Sequence, residues 1–129
     1  MQQFDFERLD IYVHAVEFLV IVDEITLTAK RPFGDASSQL TRASLSILTN
    51  LCEGAGEFSP AEKARFYRLS RRSATECAGL IAAYRRLGLS DEELTTKAKD
   101  ELLRIVSMLV RLIHSTERAR GRREQQPSA

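Results

Sequence analysis

Apolar side chains recur at helical spacing along most of the chain, and prolines and glycines divide them into four segments. The first segment runs from about Asp5, which caps its start, to Ala29, and one apolar face follows the helical period. The members of this face are Leu9, Val13, Val16, Val20 and Leu27. A second set widens it: Phe6, Ile11, Phe18, Val22 and Ile25. A helix so apolar needs more than one neighbour, so we predict either a helix central to one bundle or one that also lines a subunit interface.

Boundary signals place the second and third helices. Asp35 or Ser37 caps the second helix, and we expect it to end near Gly54, where two glycines lie close together. The third helix begins with an N-cap serine, a first-turn proline and a capping-box glutamate. These residues are Ser59, Pro60 and Glu62, and the helix should run to Leu87 with Gly88 as its stop.

A similar signal precedes the fourth helix. Ser90-Asp91-Glu92-Glu93 has the form of a capping box, and apolar periodicity then continues until about Glu117. Residues 118–129 lack that periodicity and are rich in arginine, so we predict a basic disordered tail after a domain at residues 1–117. Four long helices joined by short loops predict an all-α fold, an up-down antiparallel four-helix bundle.

Composition narrows the class of protein. The 129 residues are 43% hydrophobic and 29% charged with a net charge of +1, which is typical of a globular domain and not of a strongly basic nucleic-acid binder. Charge is segregated, because residues 1–30 carry two positive and six negative side chains whereas residues 60–90 carry seven and two. No apolar run reaches the about 18 residues of a membrane span, and no signal peptide is recognisable. We therefore expect a cytoplasmic protein without membrane contact.

Polar residues at helical spacing converge across the hairpin of the second and third helices. This polar stripe consists of Gln39, Arg42, Ser46, Asn50, Glu53, Ser73 and Glu76. By depth from the turn, Arg42 and Glu76 can pair, and Glu53 can accept backbone N–H groups at the start of the third helix. If buried, such a pair would cost about 3–5 kcal/mol to break. We interpret the stripe as polar groups that satisfy one another and set helix register; the alternative is a catalytic carboxylate pair.

The same stretch resembles the four helix bundle protein family, also called the 23S rRNA intervening-sequence protein family. The family pattern reads QL, RA, SI, N and EG at fixed spacing, followed by F, S and E. The matching residues are Gln39-Leu40, Arg42-Ala43, Ser46-Ile47, Asn50, Glu53-Gly54, Phe66, Ser73 and Glu76. The resemblance extends over about Phe6 to Ile113.

The resemblance implies a bundle that assembles into a homopentameric barrel. Many members of this family are encoded within intervening sequences of large ribosomal RNA genes and have no established activity. A related branch comprises accessory proteins of diversity-generating retroelements, which bind nucleic acid and associate with a reverse transcriptase. The resemblance thus implies further copies of this chain as partners. For the related branch, it implies RNA or DNA and a reverse transcriptase as partners.

Basic residues form two groups that are candidates for nucleic-acid binding. The third helix carries Lys63, Arg65, Arg68, Arg71 and Arg72, and the tail carries Arg118, Arg120, Arg122 and Arg123. Such a ridge can track phosphates, and repetition in a homo-oligomer would strengthen weak contacts. The alternative is a solvated face, or one that meets an acidic helix of a neighbouring subunit.

The sequence gives little indication of catalysis or of a bound cofactor. His14 and His114 are isolated and lack the spacing of metal ligands. Cys52 and Cys77 have no metal or redox spacing and should lie roughly 20 Å apart along the bundle. We expect no enzyme, no cofactor and no metal. The first hypothesis is a homo-oligomeric scaffold or interaction module, and the second is a nucleic-acid-binding protein.

Overall fold

Four long helices pack as a closed square. The computed structural model describes residues 2–125. After a short 3-10 helix at Asp5–Arg8, the long helices are α1 (Asp10–Leu27), α2 (Ala36–Gly56), α3 (Pro60–Arg86) and α4 (Glu92–Gln125). Consecutive helices pack together and α4 returns to α1, whereas the diagonal pairs α1–α3 and α2–α4 do not pack on each other. The predicted all-α four-helix bundle is confirmed, and assembly into a pentamer remains a prediction.

The core lies along the axis of this square and is built mainly from aliphatic side chains of all four helices. Phe18 and Ile25 from α1, Leu40 from α2, Cys77 from α3 and Leu109 from α4 are each 0% exposed. Burial of this kind supplies most of the stability of a helical bundle, because helix propensity alone is marginal in water.

The start of α1 differs from the prediction. Asp5 does not cap a continuous helix; it opens the 3-10 helix, and Leu9 then adopts an extended conformation before α1 starts at Asp10. The break folds the N-terminal segment against α2 and brings the ring of Phe6 to 5.1 Å from that of Tyr12. Contact with Tyr12 and with α2 thus overrides the local helix signal.

The end of α2 also differs from the prediction. The helix passes through Gly54 and ends at Gly56, and neither glycine has the positive φ of a glycine helix stop. Gly54 has another role, since a Cβ at this position would lie 2.6 Å from Cε1 of Tyr67 on α3. The absent side chain lets α2 and α3 approach closely.

The boundaries of α3 confirm the N-cap serine, the first-turn proline and the glycine stop, whereas the Glu62 carboxylate pairs with Arg65 and does not close the predicted capping box. The Ser59 hydroxyl accepts the backbone N–H of Glu62 at 3.1 Å, with Pro60 in the first turn. At the other end Gly88 has a φ of +66°, and the N–H of Leu89 donates to the carbonyl of Tyr84 at 2.9 Å. This is the Schellman geometry that glycine favours.

The capping box predicted for α4 does not form. Ser90 is 6% exposed and its hydroxyl has no hydrogen-bond partner among the described residues, while α4 starts at Glu92. The cause is tertiary: Leu89 is buried, and its carbonyl accepts the N–H of Lys30 at 2.9 Å. This bond joins the α1–α2 and α3–α4 loops and draws Ser90 inward, away from the capping position.

The end of α4 corrects the predicted domain boundary. The helix does not fade near Glu117 but continues to Gln125, so the prediction of a disordered tail is wrong for residues 118–125. Glu124 accepts a hydrogen bond from Arg120 at 3.1 Å, an i,i+4 pair that supports a helix without a buried face. Residues 126–129 of the predicted tail lie outside the described part of the chain.

Candidate interaction surfaces

Three members of the polar stripe form a hydrogen-bonded cluster between α2 and α3. The Ser73 hydroxyl donates to the Ser46 hydroxyl at 2.8 Å, and the Asn50 amide donates to both the hydroxyl and the carbonyl of Ser46 at 2.9 Å. All three side chains are partly buried. A serine–serine bond across two helices sets their relative register, as the sequence interpretation expected.

The predicted ion pair between Arg42 and Glu76 is wrong for the single chain. Both side chains are exposed, and neither takes part in an ion pair within residues 2–125. Together with Gln39 they line the rim of a shallow groove above the serine cluster. Water solvates charges in such a position, so even a formed pair would contribute only about 0–1 kcal/mol to stability.

Glu53 was predicted to connect the end of α2 to the start of α3, but a different residue makes this connection. Glu53 is exposed and makes no hydrogen bond to the start of α3 within the described chain. Instead the Lys63 ammonium donates to the carbonyls of Gly54 at 3.3 Å and Ala55 at 3.0 Å. A cation at these terminal carbonyls complements the negative end of the α2 dipole, so Lys63 serves to join α2 to α3.

Two further members of the predicted basic ridge form ion pairs within the chain. Arg65 donates to the Glu62 carboxylate at 3.0 Å and stacks over the Phe66 ring at 4.4 Å. Arg68 pairs with Glu117 on α4. These contacts reduce the positive charge that the ridge presents to a ligand.

Of the arginines in the two predicted basic groups, five are exposed and take no part in any ion pair that residues 2–125 form. They are Arg71, Arg72, Arg118, Arg122 and Arg123. The Arg68–Glu117 pair fixes the register of the antiparallel helices α3 and α4. At about 1.5 Å per residue, the end of α4 therefore lies level with the start of α3. Arg118, Arg122 and Arg123 therefore lie level with the first two turns of α3 and make this end of the bundle basic, whereas Arg72 lies about 18 Å further along, near the middle of α3.

An exposed aromatic ring lies at that same end of the bundle and was not among the candidate residues predicted from the sequence. Phe58 lies in the turn between α2 and α3 and is 95% exposed. Its sequence signal is an aromatic residue in a turn, outside every helical period, and aromatic residues are enriched at interfaces with other molecules. Phe58 extends the basic end into a surface with both charge and a stacking face.

The outer side of α1 carries an apolar stripe. Ile11, Phe18, Val22 and Ile25, which the sequence placed beside the main face, enter the core. Val13, Val20 and Leu27 of the predicted main face remain 65%, 57% and 77% exposed. We call these three residues, at seven-residue intervals, the α1 stripe. The other predicted members of that face, Leu9 and Val16, are only partly buried.

Titratable groups elsewhere have structural partners or are buried. His14 contacts the Glu101 carboxylate between α1 and α4, and Arg104 donates to the same carboxylate at 3.3 Å. Burial, with a smaller contribution from Glu76, raises the pKa of Cys77 to about 12, so this thiol stays protonated. Among residues 2–125 no group of three His, Cys, Asp or Glu side chains is arranged to hold a metal ion. Over the same residues, no helix combines the length and apolarity needed to cross a membrane.

Comparison with known proteins identifies the family. Residues 7–111 match the family described as 23S rRNA-intervening sequence protein. The fold is similar to a crystal structure from the S23 ribosomal protein family of Bacteroides thetaiotaomicron, a protein of unknown function, with a TM-score of 0.73 and 20% identity over 81% of this chain and 95% of that chain. No curated protein matches this chain. The family match spans all of α1, α2 and α3 and much of α4, so the chain belongs to the 23S rRNA-intervening sequence protein family.

Proposed function

We propose that this chain is a non-enzymatic scaffold or interaction protein that acts as a homo-oligomer, a pentamer by its family resemblance. The observation that carries the proposal is the α1 stripe, three large apolar side chains that point away from the core. Large apolar side chains repeated along one exposed face of a helix are typical of contacts between helices of different subunits. The exposure of Glu53 and Glu76 supports a role without catalysis, because neither carboxylate has the buried setting of a general acid or base.

Light scattering coupled to size exclusion tests this proposal. We expect a single species at micromolar concentration with a mass about five times the 14.6 kDa of the chain. A dilution series should leave that mass unchanged until the concentration falls below the dissociation constant. A single monomeric species over the whole micromolar range would contradict the proposal.

A second candidate function is nucleic-acid binding, in the manner of an accessory protein that associates with a reverse transcriptase. The observation that favours it is the position of Arg118, Arg122 and Arg123 at the end of the bundle that also carries exposed Phe58. Guanidinium groups neutralise phosphates, and an exposed ring supplies a stacking surface for bases.

Charge reversal at this end tests the second function. We expect Arg118→Glu with Arg122→Glu to weaken the binding of a fluorescent single-stranded RNA or DNA at least tenfold at low salt. The slope of log affinity against log salt should fall by about two, because two phosphate contacts are lost. Fluorescence anisotropy across a salt series measures both quantities.

The matched control carries the same change of charge at the opposite end of the bundle. Arg31 and Arg86 lie by the loops that the Lys30–Leu89 hydrogen bond joins. Arg31→Glu with Arg86→Glu should therefore keep most of the affinity and the full salt slope. If the wild-type protein shows no salt-sensitive binding to RNA or to DNA, the second candidate function is excluded.

A further inference from the structure

A second apolar surface lies between α3 and α4. It is a groove of about 280 Å³ with small side chains on the α3 side and larger aliphatic ones on the α4 side. Thr75, Ala78 and Ala82 contribute from α3, and Leu103 and Val106 from α4. Leu103 is 59% exposed, so the groove lacks a cover within the described chain. Small side chains on one wall allow another helix to approach closely.

Two ion pairs between the helices flank this α3–α4 groove, one at its loop end, where Arg85 itself lines the groove, and one beyond its other end. Arg85 donates to the Glu92 carboxylate at 2.6 Å near the loop, and Arg68 pairs with Glu117 near the other end. From Arg68 to Arg85 the α3 axis rises about 25 Å. The space between the pairs therefore matches a helical segment of about four to five turns.

Two cations along the groove have no acidic partner among residues 2–125. Lys99 lines the groove, and Arg71 continues the line of Ala78 and Ala82 along α3 at helical spacing. Each stands beside apolar surface, where burial of a charge needs an opposite charge. The groove therefore suits a helix that carries acidic residues within an apolar seam.

The outer face of α1 has this composition. Val13, Glu17, Val20, Glu24 and Leu27 follow one another at intervals of four, three, four and three residues, so they form one seam with acidic residues between the apolar ones. All five side chains are exposed. The seam is about 21 Å long, within the distance between the two ion pairs. Because α1 and α3 are diagonal in the bundle, this seam does not reach the groove of its own chain.

We propose that the α1 seam of one copy packs into the α3–α4 groove of a second copy. The apolar side chains cover the groove, while Glu17 and Glu24 meet Lys99 and Arg71. Seam and groove are different patches, so the contact is head-to-tail, and repetition closes a ring when the rotation per subunit permits. The inference rests on the proposed self-association and names the two surfaces that produce it.

A mixing experiment tests the head-to-tail geometry. Val20→Arg breaks the seam and leaves the groove intact, whereas Ala78→Glu breaks the groove and leaves the seam intact. Each variant alone should be monomeric by light scattering. An equal mixture should form a one-to-one complex of twice the monomer mass and nothing larger, because one working seam meets one working groove.

Controls separate loss of this contact from loss of the fold. Val20 is 57% exposed and Ala78 is exposed, so circular dichroism should show wild-type helicity for both variants. Ala83→Glu introduces the same side chain at an exposed position of α3 that does not line the groove, and it should assemble like the wild type. As a second measurement, Lys99→Glu with Arg71→Glu should weaken assembly at least tenfold, and addition of Glu17→Lys with Glu24→Lys should restore most of it.

The outcomes distinguish this inference from the proposed function. If wild-type protein and both variants share one oligomeric mass, self-association stands and the assigned surfaces are wrong. If each variant is monomeric and the mixture forms no complex, a head-to-tail contact is excluded. A monomeric wild type would overturn both the proposed function and this inference.

Discussion

Gly54→Val is expected to lower the free energy of unfolding by about 3 kcal/mol, because a side chain at this position must displace a buried ring. A Cβ on residue 54 would lie 2.6 Å from Cε1 and 2.8 Å from Cδ1 of Tyr67, and Tyr67 is 3% exposed. The ring moves only if α2 and α3 separate near their connecting turn. Urea unfolding followed by circular dichroism measures the change as a lower midpoint.

Gly56→Val is the matched control for that substitution. Gly56 lies two residues further along α2, and a Cβ there would meet nothing within 4 Å. Removal of an exposed helical glycine should change stability by about 0.5 kcal/mol or less. Equal losses at the two positions would show that close packing against Tyr67 does not explain the glycine at position 54.

Leu109→Ala is expected to cost about 2–5 kcal/mol, because it leaves a cavity in the centre of the bundle. Leu109 is 0% exposed and belongs to the core cluster to which all four helices contribute. Rigid helices cannot fully close such a cavity, since each is held by neighbours on two sides. Denaturant unfolding should be measured at several protein concentrations, because self-association adds to apparent stability.

Leu103→Ala, on the same helix, should behave in the opposite way. Leu103 is 59% exposed, so truncation should cost less than about 1 kcal/mol in the unfolding of the single chain. It also lines the α3–α4 groove, so the same change should weaken self-association. A large loss of stability from Leu103→Ala at low protein concentration would contradict its assignment as a surface residue.

Local signals were reliable where both partners of an interaction lie within a few residues. Ser59 caps α3 because the bond to the Glu62 N–H spans three residues, and no distant element disturbs it. Ser90 has a similar local pattern, yet the burial of Leu89 and its bond to Lys30 displace it from capping α4. The local sequence therefore determines whether a serine caps a helix only when the segment that carries the serine is free of tertiary contacts.

The sequence predicted the part of the polar stripe that lies within α2, because the partners of that contact are close in the chain. Helical spacing placed Ser46 and Asn50 on one face, and four residues separate the two ends of their hydrogen bond. The partner across the hairpin depends on the exact rotation of α3 against α2, which selects Ser73 and leaves Arg42 and Glu76 on the exposed rim. Spacing along a helix does not determine that rotation to within one residue.

From the sequence alone, the number of helices, their antiparallel order and the family followed, because periodicity, short loops and the spaced motif are properties of the chain itself. The tertiary structure decided which apolar face of α1 is buried, since both faces have helical spacing and only packing chooses between them. It also decided the role of Gly54, which depends on a ring 13 residues away in the sequence. The basic end likewise required the structure, because the extension of α4 along α3 brings Arg118, Arg122 and Arg123 to the end of the bundle that carries Phe58.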